Sequence, residues 1–504
     1  MKISINQLVL LSILFFFSCS GSTKKNNNNI INNINPPPAV CEEGIQPLDT
    51  TNPDHIIGDG TPNSCTEDAL VEAAESGGII KFNCGADPVE ISLSNTIVFD
   101  SETVIDGGGL VTLNGHHNTR IFYLDSDYNT TTPTLTVQGI TFVNGSSGSD
   151  GDDTAQGGGA IYRDGGSLQV INCNFINNTA PSPGQDIAGG AIYAFGGGFT
   201  TIAGSTFTEN TASNGGAIGS LNGDLTVINS VFSENAATGR DGNPGNGGCG
   251  GAIYQDGRDE ITTFCGVLIS NNSAGAIGGG VFRVSNDNSG TFIMDKTTVD
   301  SNVVTASGEG NAGGLYLQGL DMSITASTIS RNSAHYNGGI WIHTSVVHWI
   351  NVTVAENLAT GSNGGGLWLS GDPTGVLLNC TIANNHADAD GQGAGAVFGG
   401  NTNLILKNTI ISGNTGWWGS GCQNKLGGAG GNFQWIDAAL CTDDVTVADV
   451  HLGPLTDNGG STETMLPAVD SPAAVSVTDC PTTDQRGEAR PEICTAGATE
   501  VSSN

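Results

Sequence analysis

Residues 158–178 read GGAIYRDGGSLQVINCNFINN. Three short apolar/polar runs lie in these 21 positions. One follows a glycine pair at Gly158-Gly159-Ala160-Ile161, one is Leu168-Gln169-Val170, and one closes on asparagine at Phe175-Ile176-Asn177-Asn178. The opening element recurs with glycine pairs at 189–190, 215–216, 250–251, 279–280, 313–314, 338–339 and 365–366, with a degenerate ninth copy at Gly395-Ala396-Val397. The closing element recurs at 207–210, 232–235, 269–272, 299–302, 329–332, 354–357, 382–385 and 411–414, each time ending on Asn. The spacing averages about 30 residues, within the range of solenoid repeats. Three short strands per repeat cannot bury their own apolar face. Coils stacked at strand spacing, ~4.8 Å, form one continuous core. Glycine permits φ > 0 at the corners, and asparagine tolerates the left-handed region and can hydrogen-bond the Asn of the next coil. The fold expected is all-β, a parallel β-helix, right-handed by the chirality of crossover connections. An up-and-down β-sandwich is the competing architecture.

Composition agrees. Of 504 residues 76 are Gly, about twice the average share of roughly 7%. Collagen is excluded because the triplet period is absent. Simple disorder is excluded because 37% of the chain is hydrophobic and only 13% charged. Fifteen Lys and Arg against 49 Asp and Glu give a net charge of −34. That balance leaves no basic stripe for nucleic acid, and it disfavours a polyanionic ligand held by bulk electrostatics.

The N-terminus carries Lys2, an apolar run from Leu8 to Phe17, and Ser18-Cys19-Ser20. This is the layout of an export signal, and the run is too short for a stop-transfer helix. Phe16-Phe17-Ser18-Cys19 resembles a bacterial lipobox. That resemblance implies cleavage after residue 18 and lipidation of Cys19; Ser20 resembles the outer-membrane sorting pattern. Lys24-Lys25, four consecutive Asn and Pro36-Pro37-Pro38 follow as a low-complexity tether. The expected organisation is 1–18 signal, 19–43 lipidated tether, 44–122 N-terminal cap and first coils, 123–415 repeats and 416–504 C-terminal cap.

Residues 67–76 read as a short amphipathic helix with Thr66 as N-cap and Gly77-Gly78 as its stop. A helix here would cover the open edge of the first coil. Twelve cysteines in an exported chain imply disulfides. The close pairs are Cys65/Cys84, Cys422/Cys441 and Cys480/Cys494, with Cys249/Cys265 a looser candidate. Cys173 and Cys380 sit inside strand-like runs and read as buried free thiols. With Cys19 lipidated, an odd number remains. No spacing suits a zinc site.

The Gly-Gly-Ala-Ile and Phe-x-x-Asn pair resembles the repeats of polymorphic outer membrane proteins over residues 155–415. This implies a right-handed β-helix at a cell surface, often adhesive, and implies no activity. Residues 62–122 resemble the N-terminal cap of exported bacterial β-helix proteins, in which a pair like Cys65/Cys84 fastens the helix to the first strand. The tail carries Leu452-Gly453-Pro454-Leu455-Thr456-Asp457-Asn458-Gly459-Gly460, Leu466-Pro467, Asp470-Ser471-Pro472-Ala473, Asp484-Gln485-Arg486-Gly487 and Arg490-Pro491. Over about residues 405–500 it resembles the choice-of-anchor Q family of bacterial surface proteins. It departs from that family at 494–500, where an Asp-Ile-Gly-Ala-Phe-Glu type of ending is usual.

No catalytic constellation converges in the sequence. A uronate lyase would want carboxylate ligands for Ca²⁺ and a cationic base on neighbouring coils. Arg163, Arg240, Arg258, Arg283, Lys296, Arg331 and Lys407 share no register. Asp152-Asp153 and His116-His117 read as solvated loops. Asp150, Asp152 and Asp153 are the candidate Ca²⁺ ligands, since hard cations want several oxygens, though no EF-hand or nonapeptide spacing is present. Tyr316, Trp341 and Trp368 stand second after the glycine pair on three consecutive coils, preceded by Phe282. If Leu315/Leu317 and their equivalents face inward, the aromatics form an exposed sugar-stacking stripe with His343 and Gln318 nearby. If Ile161, Ile192, Ile218 and Ile253 mark the same register, the aromatics are interior. The charge on Arg283, one position further on, favours the interior reading. The expectation is a lipid-anchored envelope protein, held to the membrane by its N-terminal lipid, that binds a carbohydrate or host-surface ligand without catalysis. The alternatives are a polysaccharide lyase or hydrolase and a structural spacer. No cofactor is expected apart from Ca²⁺.

Overall fold

A computed structural model describes residues 40–42, 44–149, 151–343, 345–388, 393–417, 421–436 and 438–501. The signal, Cys19 and the chain up to residue 39 lie outside them. One coil shows the plan. A front strand, Leu315–Gln318, is followed by a back strand, Asp321–Thr325, and a side strand, Thr328–Ser330. A two-residue strand, Ser333–Ala334, then leads to the next front strand, Ile340–His343. Successive coils pair in parallel and in register: Leu315 faces Ile340, Asp321 faces Val346 and Thr328 faces Thr353. The result is a right-handed parallel β-helix of about 12 turns. Its front ladder runs through eleven strands from Ile97–Phe99 to Val397–Gly399.

The interior is built of like on like. Phe142, Phe175, Phe207 and Phe232 stack near-parallel at 4.6–4.8 Å between ring centroids. The closing asparagines form a buried ladder: Asn178, Asn210, Asn235, Asn272, Asn302, Asn332, Asn357, Asn385 and Asn414. Each of the first eight gives its backbone N–H and its Nδ2 to the Oδ1 of the next, as Asn302 does to Asn332 at 3.0 and 2.9 Å. A second Nδ2 bond reaches back to a carbonyl, Ile269 O for Asn302 at 2.9 Å. The sharp turn after each side strand therefore has its polar groups satisfied inside the core. A second, smaller ladder lines the back–side corner, where Thr297 N donates to Ser327 Oγ and Cys380 N to Thr409 Oγ1. Cys173 and Cys380 occupy this column as buried free thiols, and burial pushes each up to about 12. They are inert at neutral pH.

The glycine pair needs a register correction. Ile253 pairs with Val281, and Val281 with Leu315. The counterpart of Gly250-Gly251 is thus Gly278-Gly279, and that of Gly313 is the second glycine of the early pairs. This second position is Gly in every repeat from Gly159 to Gly395. A Cβ at Gly251 would collide with the carbonyl oxygen of Gly279 on the next coil. The first glycine is the one at positive φ, +67° at Gly250, and Ala312 takes that place at +58°.

Helix α1 spans Glu67–Ser76; Thr66 accepts from Ala69 N, and Gly77 ends it at φ +66°. Leu70, Ala73 and Ala74 are its buried face. The structure contains the disulfides Cys65–Cys84, Cys422–Cys441 and Cys480–Cys494. The looser pairing is different: Cys265 bonds Cys41, 224 residues away, and Cys249 is a buried free thiol.

Two terminal segments clasp the back–side corner. The first, a strap formed by residues 40–51 except 43, runs along it. Leu48 exchanges two hydrogen bonds with the Gln138 side chain, Cys41 and Val40 bond Asn229, and Lys296 Nζ donates to Val40 O. The second, a flap formed by the C-terminal residues, covers the side strands of the later coils. Gln485 bonds Thr353, Thr328 and Ser327, and Asn351, Asn379 and Asn408 donate to the carbonyls of Thr483, Thr495 and Thr478. Leu455 and Met465 bury against Ala355 and Ala383. Inside the flap Arg486 pairs with Asp484 at 2.8 Å and Arg490 with Glu500 at 3.1 Å. Ala496 and Ala498, in the departing stretch, are fully buried.

Candidate functional site: the front aromatic column

The register places Tyr316, Trp341 and Trp368 with Tyr123, Tyr162, Tyr193, Tyr254, Phe282 and Phe398 in one column on the front face. Alternation does the rest. Ile161, Ile192, Ile218, Ile253, Val281, Leu315, Ile340, Leu367 and Val397 all point into the core, so their neighbours in the column point out. The interior reading of the aromatics is therefore overturned. The glycine doublets are not equivalent: Gly250-Gly251 ends two residues before the inward Ile253, whereas Gly313-Gly314 and Gly338-Gly339 end one residue before the inward Leu315 and Ile340.

The column is not uniform. Tyr193 and Tyr254 are fully covered, and Asn243 of an inserted loop donates to Tyr254 Oη and to Asp256. From Tyr254 through Phe282 and Tyr316 to Trp341 the rings stack, with interplanar angles of 9–16° and a closest spacing of 4.0 Å. Each ring face in that run is spent on a neighbour. Trp368 breaks it: its plane lies at 81° to Trp341 and 88° to Phe398. Its faces therefore point across the solenoid axis rather than along it. Trp341 also stacks on His343, 5.4 Å away and coplanar within 2°. His343 Nδ1 lies 2.9 Å from Ser370 Oγ on the next coil.

The cations do not gather at this face. Arg163 and Arg283 point inward and are fully buried at the front–back corner. Arg163 donates to the carbonyls of Gly166, Gly196 and Gly197; Arg283 to those of Glu260 and Gln318. Arg283 is accommodated inside because the coil corner turns backbone carbonyls, those of Glu260 and Gln318, toward its guanidinium. Arg331 is held by Asp300 and Glu463, and Lys407 by Asp479. Arg120 sits over the Tyr162 ring at 4.7 Å and donates to the carbonyls of Ala155, Gly157 and Gly158.

Glu260 lies beside Arg283, almost wholly buried, and neither carboxylate oxygen has a hydrogen-bond partner. Burial pushes its carboxyl up to about 7, against a partial pull downward from Arg283. The folded state thus prefers the neutral acid. Its contribution is complete below the unfolded value near 4.5 and is lost as pH rises through 7. Glu260→Gln is expected to raise stability at pH 8 by about 1–2 kcal/mol and to have little effect at pH 4. Urea denaturation at the two pH values measures the difference.

Of the candidate metal ligands, Asp150 lies outside the described residues, and Asp152 and Asp153 are solvent-exposed at the start of a short 3₁₀ turn. Asp256, a further acidic side chain at the front face and not one of these candidates, accepts from Asn243, Tyr254 and Asn286. His116 and His117 are corner residues near φ +50°, bonding Ser92 and Asn177. The column members not found in the sequence are Tyr123, Tyr162, Tyr193, Tyr254 and Phe398; for the three in the early repeats the recurring Ile-Tyr was a legible signal.

A family model described as a right-handed beta helix region matches residues 313–426. A Chlamydia polymorphic membrane protein repeat matches residues 172–194. No curated protein matches the sequence. Among solved structures, the A-module of a mannuronan C-5 epimerase from Azotobacter vinelandii aligns at 13% identity and TM-score 0.39, covering 78% of this chain and 100% of that one. A surface adhesin of Streptococcus pneumoniae aligns at 12% and 0.36, covering 82% and 98%. An alginate lyase solved with a trisaccharide aligns at 13% and 0.36, covering 77% and 84%.

Proposed function

We propose that this protein is a lipid-tethered β-helix of the cell surface whose front column binds a carbohydrate or host-surface ligand without turning it over. The observation that carries the reading is the turned ring of Trp368, with His343 and Ser370 beside it, on a face that strap and flap leave free. Sugars stack on aromatic faces and bond to polar groups at the ring's rim, and an edge-on stack offers no such face. Export is supported by four disulfides. Surface placement is supported by the repeat match at 172–194. Lipidation of Cys19 and the choice-of-anchor Q character of the tail belong to this proposal. Among the described residues no helix is long and apolar enough to cross a membrane; the proposal puts membrane attachment at Cys19 on the lipobox-like Phe16-Phe17-Ser18-Cys19 alone.

Against acid–base chemistry on a uronate stands the commitment of Arg120, Arg163 and Arg283 to carbonyls; Arg258, just after the front strand Ile253–Gly257, stands exposed. Binding to immobilised glycans and to cell-surface extracts tests the reading. Trp368→Ala is expected to weaken binding at least tenfold, and Tyr316→Ala, whose ring faces are already stacked, less than threefold. Equal losses, or no binding by the parent protein, would refute the assignment. Release of unsaturated product from polyuronates, with or without Ca²⁺, would replace it with a lyase. If Cys19→Ala leaves membrane association unchanged, the lipid tether is wrong.

A further inference from the structure

The strap changes where the chain leaves the solenoid. The N-terminal cap, helix α1, lies at one end of the coils. The chain that precedes it does not depart there. It runs back over the back–side corner past Asp106, Gln138 and Asn229, and is fixed to Cys265 by a disulfide. Cys265 lies on the back strand Ile261–Cys265, midway along the ladder of back strands that runs from Gly78–Phe82 to Gly427–Gly428. Beyond it, Lys296 holds Val40 O at 3.4 Å.

The flap arrives at the same place from the other end. Thr462 donates to Ala326 O and Glu463 accepts from Thr328. Asp295, Lys296, Ala326 and Arg486 line a shallow cleft of about 270 Å³ between the flap and the coils. Strap and flap thus divide one corner of the solenoid between them, their footholds at Lys296 and Ala326 standing on adjacent coils near mid-length. In a three-faced coil the corner between two faces lies opposite the third. That third face is the front, with its aromatic column.

We infer that the N-terminal attachment holds this solenoid by its middle, side-on to the membrane, with the front face turned outward. The inference rests on the tethering reading above for the membrane and on the Cys41–Cys265 bond for the geometry. Read from its low-complexity composition alone, a tether of this length, residues 19 to 40, is expected to span about 25 Å on average. A dozen coils at ~4.8 Å are nearly 60 Å long. Attachment at mid-length keeps both ends near the surface, whereas attachment at the cap would let the full length stand above it.

Two measurements test this separately from lipidation. Peptide mapping of the oxidised full-length protein, digested without reductant, should yield a peptide holding Cys41 linked to one holding Cys265. A free Cys41, or another partner for it, overturns the inference. For orientation, the protein is held on a nickel-chelating supported bilayer through a hexahistidine tag replacing residues 1–19, and layer thickness is read by neutron reflectometry. The parent protein should form the thinner layer. In Cys41→Ser/Cys265→Ser/Asn229→Ala/Lys296→Ala, which removes the disulfide together with the Asn229 and Lys296 bonds beside it, the next foothold is Gln138, four coils nearer the cap, so the layer should thicken by about 20 Å. Equal thickness, with both proteins folded by circular dichroism, overturns the side-on geometry. Asn229→Ala, which loosens the strap with the disulfide intact, should leave the thickness unchanged; thickening there would mean that the disulfide is not what sets the exit point. Membrane release by Cys19→Ala is scored in its own assay and leaves these outcomes untouched.

Discussion

Asn302→Ala is expected to destabilise the protein by about 3–5 kcal/mol, among the largest effects open to a single substitution. The reason is what the side chain leaves behind. Asn302 Oδ1 receives both the backbone N–H and the Nδ2 of Asn272, at 3.0 and 2.9 Å. Its own Nδ2 supplies Asn332 Oδ1 and Ile269 O. Alanine removes one acceptor and two donated bonds at a site with no solvent access, so the backbone N–H of Asn272 is stranded, its Nδ2 is left with the carbonyls of Phe232 and Ser270 alone, and Ile269 O loses its side-chain donor. The position lies in the middle of a stack in which each coil contacts only its neighbours. The damage therefore splits the cooperative unit as well as weakening it. Thermal unfolding should broaden or separate into two steps, while Glu309→Gln on an exposed loop should stay within about 0.5 kcal/mol of the parent. Differential scanning calorimetry distinguishes the cases, and a single unshifted transition in Asn302→Ala would contradict the ladder's energetic role.

Loss of the Cys41–Cys265 bond is the second large effect. It closes a loop of more than two hundred residues, for which chain entropy alone gives up to about 5 kcal/mol, with about 3 the more usual yield. Two consequences separate in experiment. The strap should fray locally in Cys41→Ser/Cys265→Ser, because the residues from 44 to 47 lose their outer anchor. Global unfolding should shift as well, because the unfolded chain is freed of its longest crosslink. Hydrogen exchange reads the first, and guanidinium denaturation the second. A variant that frays without a change in the global midpoint would show that the strap is energetically independent of the coils.

The solenoid was legible because its determinants repeat. An asparagine required to face the same carbonyl and the same neighbour in every coil leaves a mark in every repeat, and all nine ladder members were read from Asn178 to Asn414. The front register was misread for an equally physical reason. Only the second glycine of the motif is forced by the close approach of the next coil, while the flanking positions accept Gly, Ala or Asn, as at Gly278, Ala312 and Asn337. A doublet can then slide by one residue, and in a strand one residue exchanges inside for outside. Arg283 compounded the error, because its interior place depends on corner carbonyls that no sequence pattern announces. The strap and the flap left no local mark at all. Cys41 and Cys265 pair across coils whose number is set by everything between them. Gln485 acts on Thr328 and Thr353 through a contact that only the folded coils create.

The straps also act as rulers. A solenoid of near-identical coils has no intrinsic length, since one more repeat can be stacked at any point without disturbing its neighbours. Here the strap's footholds at Asp106, Gln138, Asn229 and Cys265 fix how many coils lie between them, and the flap's at Thr328, Asn351, Asn379 and Asn408 do the same for the far half. A coil duplicated within either span would pull a terminal segment out of register with its anchors. The stretch from Lys296 to Ala326 is bridged by neither. A whole coil added or removed at that junction would leave both clasps on their anchors, whereas one added or removed on either side of it would not.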